Sequence, residues 1–233
     1  MLSSLTRLNG IALDILFPQH CLSCGKEGDL LCQPCRKILP KIAPPLCPRC
    51  GRPQPSGTLC PACVVWQTGL DGIRSPLRFD GAVRKAVHEL KYNNIRALAK
   101  PMSEMLNDYL KANPIPGDVL VPVPLHQKRL RERGYNQSSL LARELGRLSG
   151  LPVIEDCLVR LRQTSQQTRT ASVEERRRNV ATAFACRNRN VQDRKVILID
   201  DVSTSGSTLS ACAQALKAAG AVSVWGLTFA REI

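Results

Sequence analysis

The sequence predicts an α/β protein, with a parallel β-sheet and flanking helices, preceded by a small cysteine-rich module. Eight of the eleven cysteines lie within the first 63 residues, in four CxxC pairs. Beyond about Leu70 these pairs stop, and short apolar segments alternate with segments of helical periodicity. One segment, Val196–Ile199, is continuously apolar, as in a parallel strand covered on both faces. We therefore assign residues 1–69 to the cysteine-rich module and residues 70–233 to the α/β domain.

The α/β domain is predicted to alternate strands with helices, which implies a parallel sheet with right-handed crossovers. Pro101 leaves the start of the second helix open, and Gly150 is expected to end the third. The predicted order is short strands at 72–83, helices at 82–92 and 96–112, a strand at 118–124, a helix at 136–150, a strand at 194–201, a helix at 205–220 and a strand at 221–231.

The CxxC pairs predict structural zinc. A CxxC turn directs two thiolates at one point, and two such turns complete a tetrahedral Cys₄ site. The module is too short and too poor in large apolar residues to fold by burial alone, so metal binding would supply much of its folding free energy. The predicted ligands are Cys21, Cys24, Cys32, Cys35, Cys47, Cys50, Cys60 and Cys63.

Two other interpretations of these cysteines are less favoured. A disulfide framework needs an oxidising compartment, and a redox dithiol is disfavoured because no single CxxC differs from the rest. Sequential pairing would give two zinc ribbons, but the sequence leaves a cross-braced arrangement open. With every thiolate a ligand, the metal has a structural role or presents a surface to a partner. Cys157, Cys186 and Cys212 stand apart and are expected to be buried as small apolar residues.

The charge is strongly positive and unevenly distributed. The chain of 233 residues has 33 basic and 19 acidic side chains, a net charge of +14. Residues 128–195 hold 16 basic and 7 acidic side chains, whereas residues 196–233 hold 2 and 3. A concentrated basic region is typical of proteins that bind phosphates, pyrophosphate or nucleic acid, although a solvated helix face is the alternative.

The N-terminus begins like a signal peptide but does not continue like one. Asn9, Gly10 and Asp14 interrupt its apolar part, and no small-residue cleavage site follows. We interpret this stretch as a short amphipathic helix. No apolar run approaches the ~18 to 20 residues of a membrane span, so we expect a cytoplasmic protein without one.

The most informative motif is VILIDDVSTSGST, residues 196–208. The segment after the strand can direct backbone N–H groups and hydroxyls at a phosphate, and the helix N-terminus favours negative charge. Asp200 and Asp201 repel phosphate but accept hydrogen bonds from ribose hydroxyls and can help hold Mg²⁺. The motif therefore predicts a ribose 5-phosphate ligand, with its phosphate at Thr204, Ser205, Gly206, Ser207 and Thr208.

This motif resembles the PRPP-binding signature of the type I phosphoribosyltransferases. Further matches lie in FPQHCLSC, the four CxxC pairs, CPRCGRP, HELKY, VPVPL…RGYNQ and the ERRRN–AF stretch. Together they resemble the ComF/GntX family of competence and DNA-utilisation proteins over nearly the whole chain. The resemblance implies a zinc-binding module joined to a phosphoribosyltransferase domain, with PRPP and Mg²⁺ as ligands.

The resemblance also implies roles for individual residues. The segment 121–137 takes the pyrophosphate-binding position, where Arg129 and Arg133 are the strongest anion ligands because guanidinium groups match phosphate oxygens. Residues 162–179 resemble the mobile loop that closes over PRPP. Lys91 matches the family and is a candidate phosphate ligand, with a solvated helix end as the alternative.

Two functions follow, and the sequence does not decide between them. One is a phosphoribosyltransferase for DNA uptake or for the use of DNA as a nutrient, whose acceptor is open because no base-binding motif is recognisable. The other is a non-catalytic PRPP sensor or single-stranded-DNA-binding protein. In either case the zinc module is a candidate surface for other DNA-uptake proteins. Aromatic residues make up only 4% of the chain, which leaves few stacking platforms for bases. A zinc-ribbon adaptor would leave the two aspartates unexplained.

Overall fold

A computed structural model describes residues 19–66, 68–161 and 183–233. The predicted N-terminal helix and the predicted loop at 162–179 lie outside the described residues. Within the described ranges, the α/β class with a preceding cysteine-rich module is confirmed. No helix in these ranges is both long and apolar enough to cross a bilayer.

The cysteine-rich module contains two short helices, α1 (Gln33–Ile38) and α2 (Pro61–Val64). Each begins directly after a cysteine, Cys32 or Cys60, and has one proline, at its first or second position. Proline suits these positions because its φ is already helical and its missing N–H would have no partner there. Each helix thereby turns the second CxxC pair of its half of the module back toward the first.

The main sheet is parallel throughout, with the strand order β1–β7–β6–β3. β2 pairs with β7 beyond the point where β1 ends, so the predicted strand region at 72–83 forms two short strands. The strands of this sheet are β1 (Gly72–Arg74), β2 (Leu77–Arg78), β3 (Val119–Pro122), β6 (Lys195–Ser203) and β7 (Ser223–Arg231).

The strands β3, β6 and β7 are buried on both faces, as the apolar run in β6 predicted. Val196 and Leu198 belong to one apolar cluster, and Ile197 and Ile199 to the other. Successive side chains of a strand point to opposite faces, so each cluster covers one face of the sheet. Both β3 and β7 pair with β6, which places β6 in the interior of the sheet.

The helices agree with the sequence pattern, with one addition in the segment 121–137. That segment was expected to be a loop, but it contains the helix Gln127–Arg133. His126 caps its start by accepting a hydrogen bond from the Lys128 N–H at 3.3 Å, and Gly134 ends it at a φ of 76°. The helices are α3 (Gly81–Tyr92), a 3₁₀ turn (Arg96–Leu98), α4 (Ala99–Ala112), α5 (Gln127–Arg133), α6 (Gln137–Ser149) and α7 (Ser207–Ala218).

A second, antiparallel sheet was not predicted. It pairs β4 (Leu158–Arg160) with β5 (Phe184–Cys186), and strands of three residues are too short to show a periodic pattern. Cys157 and Cys212 are fully buried near this sheet, as expected for small apolar residues, whereas Cys186 is partly exposed.

Candidate functional site

Two neighbouring carboxylates are buried near the end of the interior strand β6. The strand runs to Ser203, two residues beyond its predicted end, so Asp200 and Asp201 lie inside it. Asp200 is 9% exposed and Asp201 is 2% exposed. Carboxylates withdrawn from water are unfavourable unless other groups satisfy them, so their partners define the site.

Asp200 is held by the start of helix α6. The Ser138 hydroxyl donates a hydrogen bond to Oδ1 at 2.8 Å, and the Asp201 N–H donates to the same oxygen at 3.0 Å. Burial raises the pKa of Asp200 to about 7, and the charge of Asp201 adds to this rise, while Lys91 and Ser138 oppose it. The sequence pattern predicted helix α6, but no motif marked Ser138.

Asp201 is paired with Lys91 from the last turn of helix α3. The Lys91 Nζ atom lies 2.8 Å from Oδ1 of Asp201. The structure thus pairs this lysine with a carboxylate rather than leaving it in solvent. The other oxygen, Oδ2, is buried and has no hydrogen-bond partner among the described residues. A buried carboxylate oxygen without a partner is costly, so it suits a ligand hydroxyl, a water or a divalent cation.

The 204–208 segment joins β6 to helix α7. Thr204, Ser205 and Gly206 form the turn, and Ser207 and Thr208 are the first helical residues. Gly206, the N-cap residue, has a φ of 81°, in the left-handed region that favours glycine, and the Ser205 hydroxyl accepts a hydrogen bond from the Ser207 N–H at 3.3 Å. The Ser205 hydroxyl hydrogen-bonds to the Ser207 hydroxyl at 3.0 Å.

Asp200 and the 204–208 segment line one cleft. The predicted ribose site and the predicted phosphate site are therefore neighbours, at the carboxyl end of β6 where ligands of such sheets bind. The lining residues are Asp200, Val202, Ser203, Thr204, Gly206, Ser207, Thr208 and Leu209.

The two predicted pyrophosphate ligands lie on helix α5. Arg133 donates a hydrogen bond to the Gln137 side chain and lies over the Tyr92 ring, 5.4 Å from its centre. Arg129 is exposed. Neither arginine has an ion pair with Asp200 or Asp201 in the described part of the chain. The structure therefore places both arginines on the segment that follows β3, beside β6, without direct contact to the aspartates.

A further basic residue, Arg160 on β4, was missed by the sequence analysis. Burial lowers the pKa of Arg160, the charge of Arg129 lowers it further, and Asp200 raises it. Arg160 is thus within electrostatic range of both a predicted pyrophosphate ligand and a predicted ribose ligand. It stands in a short strand outside every motif, so the sequence offered no signal for it.

The eight predicted zinc ligands form two quartets, one from each half of the module. The first quartet is Cys21, Cys24, Cys32 and Cys35, and the second quartet is Cys47, Cys50, Cys60 and Cys63. In each quartet all sulfur atoms lie within 4.8 Å of one another. The pairing is therefore sequential, and the cross-braced arrangement is excluded.

The sulfur positions fit a tetrahedral metal. The Cys24 and Cys32 sulfurs are 3.7 Å apart, as are those of Cys50 and Cys60. Four sulfurs at the Zn–S distance of about 2.3 Å would be separated by about 3.8 Å. All eight cysteines are free thiols, so the structure has no disulfide framework among them.

Backbone N–H groups favour the thiolate form of one cysteine in each quartet, whereas burial raises the pKa of Cys50 and Cys63, and, against the Ser23 hydroxyl, the Cys32 and Cys24 thiols raise the pKa of Cys35. Burial alone raises the pKa of Cys21, but N–H groups of Cys32, Cys24 and Ser23 bring it down to about 6. The pKa of Cys47 is lowered to about 6 in the same way, against burial, by N–H groups that include that of Cys50. Thiolates are the form that binds zinc.

Comparison with known proteins agrees with this architecture. The model of the double zinc ribbon domain matches residues 12–64, and that of the phosphoribosyl transferase domain matches residues 131–231. Competence protein ComFC of Bacillus subtilis is 32% identical over 215 residues, which cover 89% of this chain and 86% of that protein. The chain belongs to the ComF/GntX family.

Other relatives of this ComF/GntX protein cover similar lengths. Competence protein F of Haemophilus influenzae is 30% identical over 89% of this chain and 94% of its own. DNA utilization protein YhgH of Escherichia coli K12 is 32% identical over 88% of this chain and 92% of its own. The two quartets are thus the structural zinc sites of a double zinc ribbon, followed by a phosphoribosyltransferase domain. The boundary at residue 69 stays a prediction.

Proposed function

We propose that this ComF/GntX protein binds PRPP together with Mg²⁺. Asp200 and Asp201 hold the ribose hydroxyls, and the 204–208 segment holds the 5-phosphate. The observation that carries this proposal is the buried Oδ2 atom of Asp201, which lacks a partner among the described residues and belongs to a residue three positions before a strand-to-helix turn suited to an anion. A ribose 5-phosphate would satisfy both features at once.

The phosphate end of the ligand is recognised by the start of helix α7. The helix has 12 residues, and its first-turn N–H groups carry a partial positive charge; the Ser207 N–H donates to the Ser205 hydroxyl at 3.3 Å. The hydroxyls of Ser205 and Ser207 are exposed beside these groups. Gly206 lines the same cleft, and its missing side chain lets the turn pack against Trp66 and Ile73.

The aspartates also suit a magnesium ion, because Mg²⁺ prefers carboxylate oxygens and commonly binds with substrate phosphates. Such an ion would neutralise charge on the pyrophosphate of PRPP. In the transferase reaction Arg129 and Arg133 hold the pyrophosphate while its bond to the ribose C1 breaks. A nucleophile of the acceptor then captures the oxocarbenium-like C1. Positioning and charge stabilisation supply most of the rate.

The cellular role is proposed from the relatives. Proteins named for competence and for DNA utilisation share about 30% of their residues with this chain over most of its length. We place the protein in the cytoplasm, in DNA uptake or in the use of DNA as a nutrient. Its double zinc ribbon is then a surface for other DNA-uptake proteins.

Single-stranded DNA binding is the second candidate function. The observation that favours it is the concentration of 16 basic against 7 acidic side chains in residues 128–195. Binding of DNA and of PRPP are compatible, since a basic surface next to the site can hold the polymer while the cleft holds the sugar phosphate. In this second candidate function, the protein senses PRPP without transferring its ribose.

Calorimetric titration of Mg²⁺ and PRPP into the zinc-loaded protein tests the proposal, followed by a pyrophosphate-release screen. The acceptors in the screen are nucleobases, nucleosides and single-stranded DNA. PRPP binding with pyrophosphate release supports a transferase, and binding without release supports the sensor. Absence of PRPP binding at millimolar concentration contradicts both.

A further inference from the structure

The two zinc quartets are attached to different parts of the phosphoribosyltransferase domain. Next to the first quartet, Arg36 forms an ion pair with Glu104 of helix α4, with 2.7 Å between Nη1 and Oε2. The buried Leu31 packs in the same apolar cluster as the buried residues of helix α4, and this cluster covers one face of the sheet. Helix α4 does not line the cleft beside Asp200, so the first quartet is anchored away from the site.

The second quartet is attached to the strand β1. Arg49, between two of its cysteines, accepts a hydrogen bond from the Ile73 N–H at 2.7 Å. Gly51 follows the same pair, and a Cβ atom there would lie 2.5 Å from the Ile73 carbonyl oxygen. The Arg49 guanidinium also donates hydrogen bonds to the Cys63 and Trp66 carbonyl oxygens, which connects the first CxxC pair of the second quartet to the last residues of the module.

The second ribbon continues to the 204–208 segment. The Arg52 guanidinium lies 3.4 Å from the Thr204 carbonyl oxygen, at the beginning of the segment. Gly206 lies against the Trp66 ring and Ile73, since a Cβ atom there would be 2.9 Å from each. The turn that is proposed to bind the 5-phosphate thus rests on a residue inside the second ribbon and on the tryptophan that follows it.

A buried charge lies next to the residue that precedes the same segment. Arg231, the last residue of β7, is 1% exposed and donates to the Ser203 hydroxyl at 3.3 Å. Its Nε atom has no partner, and no carboxylate pairs with it among the described residues. Burial lowers the pKa of Arg231, and the charge of Arg52 lowers it further, whereas the charges of Cys50, Cys63 and Cys47 raise it.

A Cys₄ zinc centre is anionic, because four thiolates exceed the charge of one Zn²⁺. A buried guanidinium needs such a counter-charge. A zinc-loaded second centre would supply such a counter-charge to Arg231, which donates to Ser203 directly before the 204–208 segment. Loss of the metal would weaken the supports from Arg52, Trp66 and Arg231 together.

We propose that zinc in the second quartet and the 5-phosphate in the 204–208 segment stabilise each other, while zinc in the first quartet is independent of the phosphate. This inference rests on the proposed function, in that the segment must bind a sugar phosphate. The linkage is reciprocal by thermodynamic necessity, so the ligand must retain the metal as much as the metal retains the ligand.

Zinc release to a chromogenic chelator, with and without saturating ribose 5-phosphate, tests the inference. Ribose 5-phosphate is the probe because it lacks the pyrophosphate group that binds metals. We expect two release phases, of which the ligand slows one by at least about fivefold and leaves the other unchanged. The variants Cys24→Ser and Cys60→Ser, each altering the most exposed cysteine of its quartet, assign the phases.

Arg52→Met provides the test that leaves both quartets intact. It should remove the protection of the slowed phase, whereas the matched variant Arg36→Met beside the first quartet should retain it. Calorimetry on the same samples separates the possible failures. Ribose 5-phosphate that binds but slows both phases or neither overturns the linkage alone. Ribose 5-phosphate that does not bind overturns the linkage and the proposed function together.

Discussion

Lys91 and Asp201 form an ion pair largely withdrawn from solvent, with 2.8 Å between Nζ and Oδ1. The side chains are 23% and 3% exposed. The lysine supplies one positive charge to two neighbouring carboxylates, and it leaves Oδ2 of Asp201 for a ligand. The pair therefore explains how the chain tolerates both aspartates inside β6.

Lys91→Met should destabilise the protein by about 2 kcal/mol, because it leaves a buried carboxylate without its cation. Urea unfolding of the zinc-loaded protein measures this loss. Lys85→Met, at an exposed position on the same helix, is the control and should change the free energy of unfolding little. In a double-mutant cycle with Asp201→Asn, a coupling energy near zero would contradict a stabilising pair.

Asp200→Asn should become more stabilising as the pH rises. The pKa of Asp200 is about 7 in the folded protein and ~3.9 in an unfolded chain, so the folded state holds the extra proton between these values. The protonated Asp200 carboxyl therefore contributes to the free energy of unfolding at low pH, and this contribution is lost as the pH rises through about 7.

The advantage of Asp200→Asn over the parent should therefore grow by about 1 kcal/mol from pH 6 to pH 8. Urea unfolding at the two pH values measures it. Asp108→Asn, which removes an exposed carboxylate from helix α4, should show no such pH dependence. An equal effect of Asp200→Asn at both pH values would show that its carboxyl does not titrate in this range and would contradict a pKa of about 7.

Purified protein should contain about two zinc ions per chain, one for each quartet. Elemental analysis measures the metal, and thiol titration under denaturing conditions shows that the cysteines are reduced. The module should lose its structure when a strong chelator removes the metal, because its core consists largely of the sulfur clusters. A native protein free of metal, with the quartets oxidised to disulfides, is the contrary outcome.

Single-stranded DNA should bind with little sequence preference and with a strong salt dependence. The logarithm of affinity should fall linearly with the logarithm of salt concentration, by ~0.7 for each phosphate contacted. Fluorescence anisotropy of a labelled oligonucleotide measures the slope. Replacing Arg176, Arg177 and Arg178 together, which lie outside the described residues, should reduce both affinity and slope without unfolding the chain. An affinity that is constant from low to moderate salt is incompatible with this mode of binding.

The fold was largely predictable because local pattern and tertiary packing agree. The apolar run of β6 is buried on both faces, and Gly150 ends α6 in the left-handed conformation, as expected. Helix α5 was missed because its basic sequence lacks an apolar face, and its cap is a histidine rather than a typical capping residue. Strands β4 and β5 were missed because each has only three residues.

The site was predictable only where one continuous motif carries it. Asp200, Asp201 and the 204–208 segment are contiguous in the chain, and so are the two members of each CxxC pair. Ser138 and Lys91 meet these aspartates from helices 62 and 110 residues away in sequence, which only the fold reveals. The sequence likewise could not show that Arg52, inside the second ribbon, reaches Thr204.

The central claim is that Asp200 and Asp201 hold the ribose of PRPP, and the affinity of a double Asn variant tests it most directly. The substitution keeps the side-chain shape while removing charge and Mg²⁺ affinity. Each lost charge-assisted hydrogen bond is worth about 1.5 to 3 kcal/mol. If the two losses add, PRPP with Mg²⁺ should bind roughly two to four orders of magnitude more weakly by calorimetry. Circular dichroism should confirm that the variant is folded, and Asp108→Asn should bind as the parent does. A folded double variant that binds PRPP as tightly as the parent would contradict the account and place the site elsewhere.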